Sequence, residues 1–363
     1  MCTNCVWEMA KVRHLTIFLS TFALALLYIT LVRLDVRFPV FPVEWRHIAE
    51  IRHGSGAVKV LLIAYGRSGS SLAGELLSFS PGSRYYFEPL FFVKDIQQMN
   101  RRKDFSHLSL YLLESLFNCS LEAVDQFLLL SLRNPGWRWK YYSLPPCDDN
   151  DQVQVAKVIR FQLDHDALGW LRSRHDIKVV HWVRDPRGML NSVLGAPSTD
   201  NFQTDPWLLC DRMWSDIFAI DSLPSDQWRR VSYEEMVSDP IEVTRGLYRF
   251  LGIPWPSDGD KQVLTHFAPD PQSMASTNGY YSTYRNGSAF DPHHWKQEMN
   301  EVEIALTERE CGTVMDALGY QREVVTGPLP IGWFEERFMV VPGKSPAEGP
   351  LPVTTPVPDV SGM

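Results

Sequence analysis

Cysteine is scarce, six residues in a chain of 363, which excludes a small fold held together by disulfides in place of a core. A cationic excess is lacking too: 35 Lys and Arg stand against 43 Asp and Glu, a formal net charge of −8. That balance argues against a protein that coats nucleic acid, and no nucleic-acid partner is expected, although a local basic cleft fits inside an acidic total. No internal repeat is visible. His165, His175, His181, His293 and His294 have no Cys or acidic partners at metal-ligand spacing, so no metal site is expected. What is present is apolar material: 45% of residues are hydrophobic, with 12 Trp, 13 Tyr and 19 Phe. This is ample for a folded core of one large or two ordinary domains.

Long apolar runs are limited to one. Leu15 to Val32 holds 18 residues without a charge, at the short end of what crosses a hydrocarbon layer about 30 Å thick. Arg33 follows it, where a cleaved signal peptide would show a small-residue cleavage site. The expectation is therefore an uncleaved signal anchor and a single-pass type II membrane protein. Residues 1–14 are then cytosolic, 15–32 span the membrane, 33–56 form a stem, 57–341 form one lumenal domain, and 342–363 are a Pro-rich tail without apolar periodicity. Two sequons, Asn118-Cys119-Ser120 and Asn286-Gly287-Ser288, agree with lumenal placement. Cys119, Cys147, Cys210 and Cys311 would lie in an oxidising compartment, where two disulfides are expected with three pairings open. Cys2 and Cys5, across the membrane, are either palmitoylated or plain thiols.

Ala57 to Tyr65 reads AVKVLLIAY, the pattern of a buried parallel strand. It runs into GRSGSS (Gly66 to Ser71) and then a stretch with helical spacing. A strand, a glycine-containing turn and a helix present several backbone N–H groups to one anion. Ser68, Ser70 and Ser71 add hydroxyls, Gly69 lets the backbone approach closely, and Arg67 can hold two anion oxygens at once. A serine-capped helix after a strand is the plainer reading of the same residues. The turn lacks the Gly-Lys-Ser/Thr ending of nucleoside-triphosphate loops, which disfavours kinase chemistry.

A second unit has the same form: DIKVVHWV (Asp176 to Val183), then RDPRG (Arg184 to Gly188), then a helical MLNSVL. Arg184 stands where a parallel strand ends, the edge at which open α/β sheets bind ligands. Ser192 follows about two helical turns later. A third unit is WRRVSYEEMVSDP (Trp228 to Pro240). His181, inside the second strand, is expected to be a satisfied core residue, and the aromatics of Trp207 to Phe218 read as core packing or an acceptor wall.

These motifs, with YSTYRNGS…WK…GY (Tyr281 to Tyr320), resemble the Golgi carbohydrate 6-O-sulfotransferases, the galactose, N-acetylglucosamine and N-acetylgalactosamine branch of the sulfotransferase superfamily. The resemblance implies an α/β fold with a central parallel sheet, flanking helices and a P-loop-like phosphosulfate-binding turn, here behind one N-terminal transmembrane helix. It implies 3′-phosphoadenylyl sulfate (PAPS) as co-substrate, no metal, a glycan acceptor and a Golgi membrane location. Arg67, Ser68, Gly69, Ser70 and Ser71 would bind the 5′-phosphosulfate, Arg184 and Ser192 the 3′-phosphate, and Tyr233, Ser282 and Arg285 would lie near the nucleotide. Cytosolic relatives carry a lysine in the first loop, where this chain has Arg67.

Transfer of a sulfuryl group needs positioning, anion stabilisation and a base for the attacking hydroxyl. Glu88, in YYFEP (Tyr85 to Pro89), matches the distance from the loop at which relatives place that base; the alternative is a structural carboxylate paired with Arg84 or Arg67. Lys157, in VQVAKVIR (Val153 to Arg160), is a candidate to take the part of the missing loop lysine, ahead of Arg160 and Lys296. Two rival functions stay open: an inactive glycan-binding protein of the same fold, and a P-loop phosphotransferase. The acceptor sugar and the oligomeric state are not specified by the sequence.

Overall fold

The computed structural model describes residues 56–91, 93, 105–120, 152–196, 203–268, 282–284 and 290–323. The expected membrane span, the Pro-rich tail, Cys147, Asn286 and Arg285 lie outside these residues, as does all of the expected stem but Gly56. Among the described residues no helix is long and apolar enough to cross a membrane.

Five strands are present among the described residues: β1 (Val58–Ile63), β2 (Ser83–Phe87), β3 (Val153–Val158), β4 (Ile177–Val183) and β5 (Trp228–Ser232). They form one sheet in the order β2-β3-β1-β4-β5, and every pairing is parallel. The helices are α1 (Ser70–Leu77), α2 (Phe105–Phe117), α3 (His165–Ser173), α4 (Pro186–Leu194), α5 (Pro206–Asp221), α6 (Tyr233–Ser238), α7 (Pro240–Leu251), α8 (Gly259–His266), α9 (Trp295–Glu298) and α10 (Glu301–Leu318).

The strands are parallel because their sequences are apolar on both faces: β3 is buried at all six positions and β1 at all but Val58, which a sheet covered by helices on both sides requires. Six of the helices start on side chains that accept from N–H groups of the first turn. Asp164, Asp185, Asp205 and Asp239 cap α3, α4, α5 and α7. Ser232 with Glu235 and Asn300 with Glu303 make capping boxes for α6 and α10.

One apolar cluster includes Val60, Leu62, Leu72, Leu76, Trp182, Tyr233 and Tyr248. A second includes Tyr65, Val183, Met189, Met213, Ile217 and Val314. Cys210 of α5 and Cys311 of α10 form a disulfide inside the second cluster, which selects one of the open pairings. Cys119 is also disulfide-bonded, to a cysteine outside the described residues.

The register is what builds the site. Ile63 of β1 lies opposite both Val158 of β3 and His181 of β4, so the turns that follow these three strands leave one edge of the sheet together. The chain places β3 on one side of β1 and β4 on the other, and the carboxyl ends of strands at such a reversal are where α/β sheets bind ligands.

Candidate active site

The first turn leaves β1 at Tyr65. Ser68 N–H and Oγ both reach the Tyr65 carbonyl, at 3.3 and 2.8 Å, so this hydroxyl's proton is already committed to the turn. Trp182 Nε1 donates to the Ser68 carbonyl at 2.9 Å, which ties the turn to β4. Arg67 and Gly69 have φ of 63° and 84°. These left-handed residues turn the chain sharply so that α1 begins at Ser70 without a side-chain cap. The first N–H groups of α1, at its positive dipole end, thus have no side-chain cap among the described residues.

Gly69 has a second reason to be glycine: a Cβ there would lie 2.5 Å from the Tyr233 ring. Tyr233, open in the sequence between a core role and a role near the nucleotide, packs in the core. It is fully buried and floors the turn, with the Arg184 guanidinium 4.6 Å from its ring centroid.

The second turn meets the first directly. Arg184 Nη1 donates to the Arg67 carbonyl at 2.9 Å, and Arg67 Nε donates to Ser192 Oγ at 3.1 Å. Arg187 is engaged elsewhere, paired with Asp185 and Glu308. Glu234 accepts from the Asp185 N–H at 3.1 Å and from the Tyr320 hydroxyl at 2.9 Å. Burial raises the Glu234 carboxyl above the usual range, and burial beside that carboxylate holds the Tyr320 phenol far above its own.

Glu88 follows β2 with φ 47°, its N–H bonded to the Lys157 carbonyl at 3.0 Å. Its carboxylate is clamped: Lys157 Nζ donates to Oε1 at 3.0 Å and Arg160 Nη1 to Oε2 at 2.5 Å. Lys157 is 1% exposed; its ammonium also donates to Ser71 Oγ at 3.2 Å and sits 3.6 Å from the Phe87 ring centroid. Glu88, Lys157 and the start of α1 are thus one connected group, and Arg160, ranked below Lys157 in the sequence, belongs to it.

Behind the first turn lies a buried network that no local motif announces. Arg230 Nε donates to His181 Nδ1 at 3.0 Å, which makes Nε2 the protonated nitrogen, and Nε2 meets Tyr65 Oη at 2.9 Å. The Tyr65 hydroxyl in turn donates to Asp216 Oδ2 at 3.1 Å. His181 is therefore satisfied, as expected. Burial, with Arg230 and Arg212 nearby, holds it neutral well below the usual histidine range. Burial pushes the Asp216 carboxyl up to about 6.

Ser282 Oγ accepts from Tyr284 N–H at 3.1 Å, and its neighbour Thr283 donates to Glu75 of α1 at 2.8 Å. Lys296 is exposed and paired with Glu323. In α5, Leu209, Met213 and Ile217 are core, but Trp207, Trp214 and Phe218 are 53%, 42% and 73% exposed, which overturns the core-packing reading for these aromatics but not the alternative of an acceptor wall. Asn118 of the first sequon is buried, its Nδ2 donating to Glu114 Oε1 at 2.7 Å. Among the described residues no cluster of His, Cys, Asp or Glu is placed to hold a metal ion.

The profile described as "Sulfotransferase family" matches residues 60–257, the stretch that contains both turns, Glu88, Lys157 and Tyr233. Carbohydrate sulfotransferase 1 of Danio rerio is 24% identical over 339 residues, covering 74% of this chain and 79% of the relative. Carbohydrate sulfotransferase 4 of Mus musculus is 24% identical, covering 76% of this chain and 85% of the relative. With the family's stretch spanning more than half its length, and both turns inside that stretch, the chain belongs to the sulfotransferase family.

Proposed function

We propose that this protein transfers the sulfuryl group of PAPS to the 6-hydroxyl of galactose, N-acetylglucosamine or N-acetylgalactosamine in a glycan. The observation that carries the reading is the contact between the two turns, Arg67 to Ser192 and Arg184 to the Arg67 carbonyl, which supports two anion-binding ends side by side at one edge of the sheet. The uncapped start of α1 and Arg67 serve the 5′-phosphosulfate, Arg184 and Ser192 the 3′-phosphate. The carbohydrate sulfotransferases among its relatives support a sugar acceptor.

In this reading the acceptor oxygen attacks sulfur in line, forming the new S–O bond as the bond to the bridging phosphate oxygen breaks and adenosine 3′,5′-bisphosphate leaves. Glu88 takes the hydroxyl proton. Lys157, bonded to both Glu88 and Ser71, holds the base against the loop and sets a positive charge where negative charge develops on the leaving oxygen. A buried, apolar-lined setting strengthens that interaction relative to water.

The chain is further proposed to be a type II Golgi membrane protein with this domain lumenal, a placement supported by the Leu15 to Val32 run and by the Cys210–Cys311 disulfide. Replacing Glu88 by Gln tests the chemistry. Turnover should fall by roughly 100-fold or more, the contribution of a positioned base, with adenosine 3′,5′-bisphosphate binding retained. Turnover equal to wild type removes Glu88 from the reaction.

A further inference from the structure

The residues that follow β3 are gripped by α5. Arg212 Nη1 donates to the Ile159 carbonyl at 2.7 Å and Nη2 to the Phe161 carbonyl at 2.9 Å. Asp216 stands one turn on, on the same helix face. It accepts from the Leu163 N–H and lies 3.5 Å from Arg212 Nε. Backbone groups at three alternate positions, 159, 161 and 163, are thus tied to two side chains of one helix. β3 ends at Val158, so these groups have left the sheet ladder, and Ile159 and Phe161 are buried. Buried carbonyls need donors, and a guanidinium supplies two from one rigid plane.

Arg160 lies between the two bonded carbonyls. Its side chain donates to Glu88 Oε2 at 2.5 Å and lies 4.7 Å from the Phe91 ring centroid. The two cations on Glu88 are therefore held in different ways. Lys157 is inside β3, paired with Leu62 on one side and Phe87 on the other, so the sheet itself fixes it. Arg160 is beyond the ladder, and the bonds from Arg212 fix the peptide groups on either side of it.

The same helix reaches the first turn. Asp216 accepts from the Tyr65 hydroxyl at 3.1 Å, and the Arg212 guanidinium lies 5.2 Å from the Tyr65 ring centroid. Tyr65 also supplies the carbonyl that anchors Ser68. One face of α5 therefore joins the exit of β3 to the turn after β1.

We propose that Arg212 is a positioning residue that fixes Arg160, and through it the Glu88 carboxylate, relative to the first turn. This rests on the reading of Glu88 as the base, and the test separates the two. Sulfuryl transfer from PAPS is measured with poly-N-acetyllactosamine and with chondroitin, which between them offer the 6-hydroxyls of all three sugars. Wild type, Arg212→Ala, Arg160→Ala and the double variant form a cycle, and calorimetry gives the affinity of each for adenosine 3′,5′-bisphosphate.

Arg212→Ala should lower kcat by roughly 10-fold or more, the scale of a displaced catalytic group. Its bisphosphate affinity should stay within about twofold of wild type, and in the Arg160→Ala background the same replacement should lower kcat less than about twofold. A loss of equal size in both backgrounds would show that Arg212 does not act through Arg160. Unchanged kcat would remove it from the reaction, and an equal fall in bisphosphate affinity would make its role purely structural. If Arg212→Ala does not fold, Arg212→Lys carries the same comparison, since it keeps the charge beside Asp216 but not the two-carbonyl fork. Wild type that transfers to neither glycan, or Glu88→Gln as active as wild type, overturns the reading of Glu88 itself, and this inference with it.

Discussion

Arg67 Nε donates to Ser192 Oγ at 3.1 Å, joining the turn after β1 to the helix after β4 across 125 residues of sequence. Sulfotransfer as proposed here needs both ends of one nucleotide held at once, and this bond brings the two turns assigned to them into contact. In the proposed reading, an incoming nucleotide exchanges the Arg67–Ser192 bond, charged on one side only, for bonds between guanidinium and phosphate oxygens that are charged on both.

The first turn depends on Gly69. Gly69→Ala forces a side chain onto a φ of 84° and against the Tyr233 ring at 2.5 Å. The left-handed backbone and the overpacking together should remove about 2 kcal/mol or more of stability, read as a lower midpoint in urea denaturation. A midpoint equal to wild type would show that Tyr233 does not floor the turn.

Lys157 links the proposed base to the loop. Lys157→Met removes the ammonium that bonds both Glu88 and Ser71. Turnover should fall by roughly 10²–10³, the scale of one lost charge-stabilising donor. The stability loss should stay below the roughly 3–5 kcal/mol of a buried charge left with no partner. Steady-state kinetics within about threefold of wild type would exclude Lys157 from the reaction.

The positions of Arg67, Arg184 and Ser192 are legible in the sequence because each follows closely on an apolar strand, and a parallel strand delivers the residues after it to a known edge. Glu88 is legible for the same reason, at the end of β2. Its partners are less so: Lys157 and Arg160 lie 69 and 72 residues away, and only the β2-β3 pairing, with Phe87 opposite Lys157, brings them in. In α5, Leu209, Met213 and Ile217 already fill the inward stripe, which leaves Trp207, Trp214 and Phe218 on the outer arc of the same helix; an aromatic-rich helix does not by itself say which of its apolar residues face inward.

The buried Tyr65–His181–Asp216 chain makes stability depend on pH in two opposed ways. Asp216, raised to about 6 in the fold from an ordinary 3.8, binds a proton more readily in the native state, so its contribution is largest at low pH and is lost as pH rises toward 6. His181, lowered in the fold from 6.5, favours the native state above that value and weakens it as pH falls. Asp216→Asn removes only the first effect. Relative to wild type, the variant should therefore lose about 1.4 kcal/mol of stability for each pH unit of acidification between roughly pH 6 and 4, measured by denaturant titration across that range. Parallel curves would contradict a titrating Asp216.

The Cys210–Cys311 bridge closes a sequence separation of 101 residues between α5 and α10. Cys311→Ser should lower stability by roughly 2–5 kcal/mol, and reductant should lower wild type to a similar extent or further, since Cys119 is disulfide-bonded as well. Coincident melting of wild type and variant without reductant would mean the bond does not form.

Sulfuryl transfer from PAPS to a sugar 6-hydroxyl is tested most directly by incubating the purified protein with donor radiolabelled at sulfur and a panel of desulfated glycans, then mapping the labelled carbon. Label should appear on C6 of galactose, N-acetylglucosamine or N-acetylgalactosamine in at least one acceptor, with Glu88→Gln transferring roughly 100-fold less. No transfer to any acceptor by protein that binds adenosine 3′,5′-bisphosphate, or label on a carbon other than C6, would contradict it.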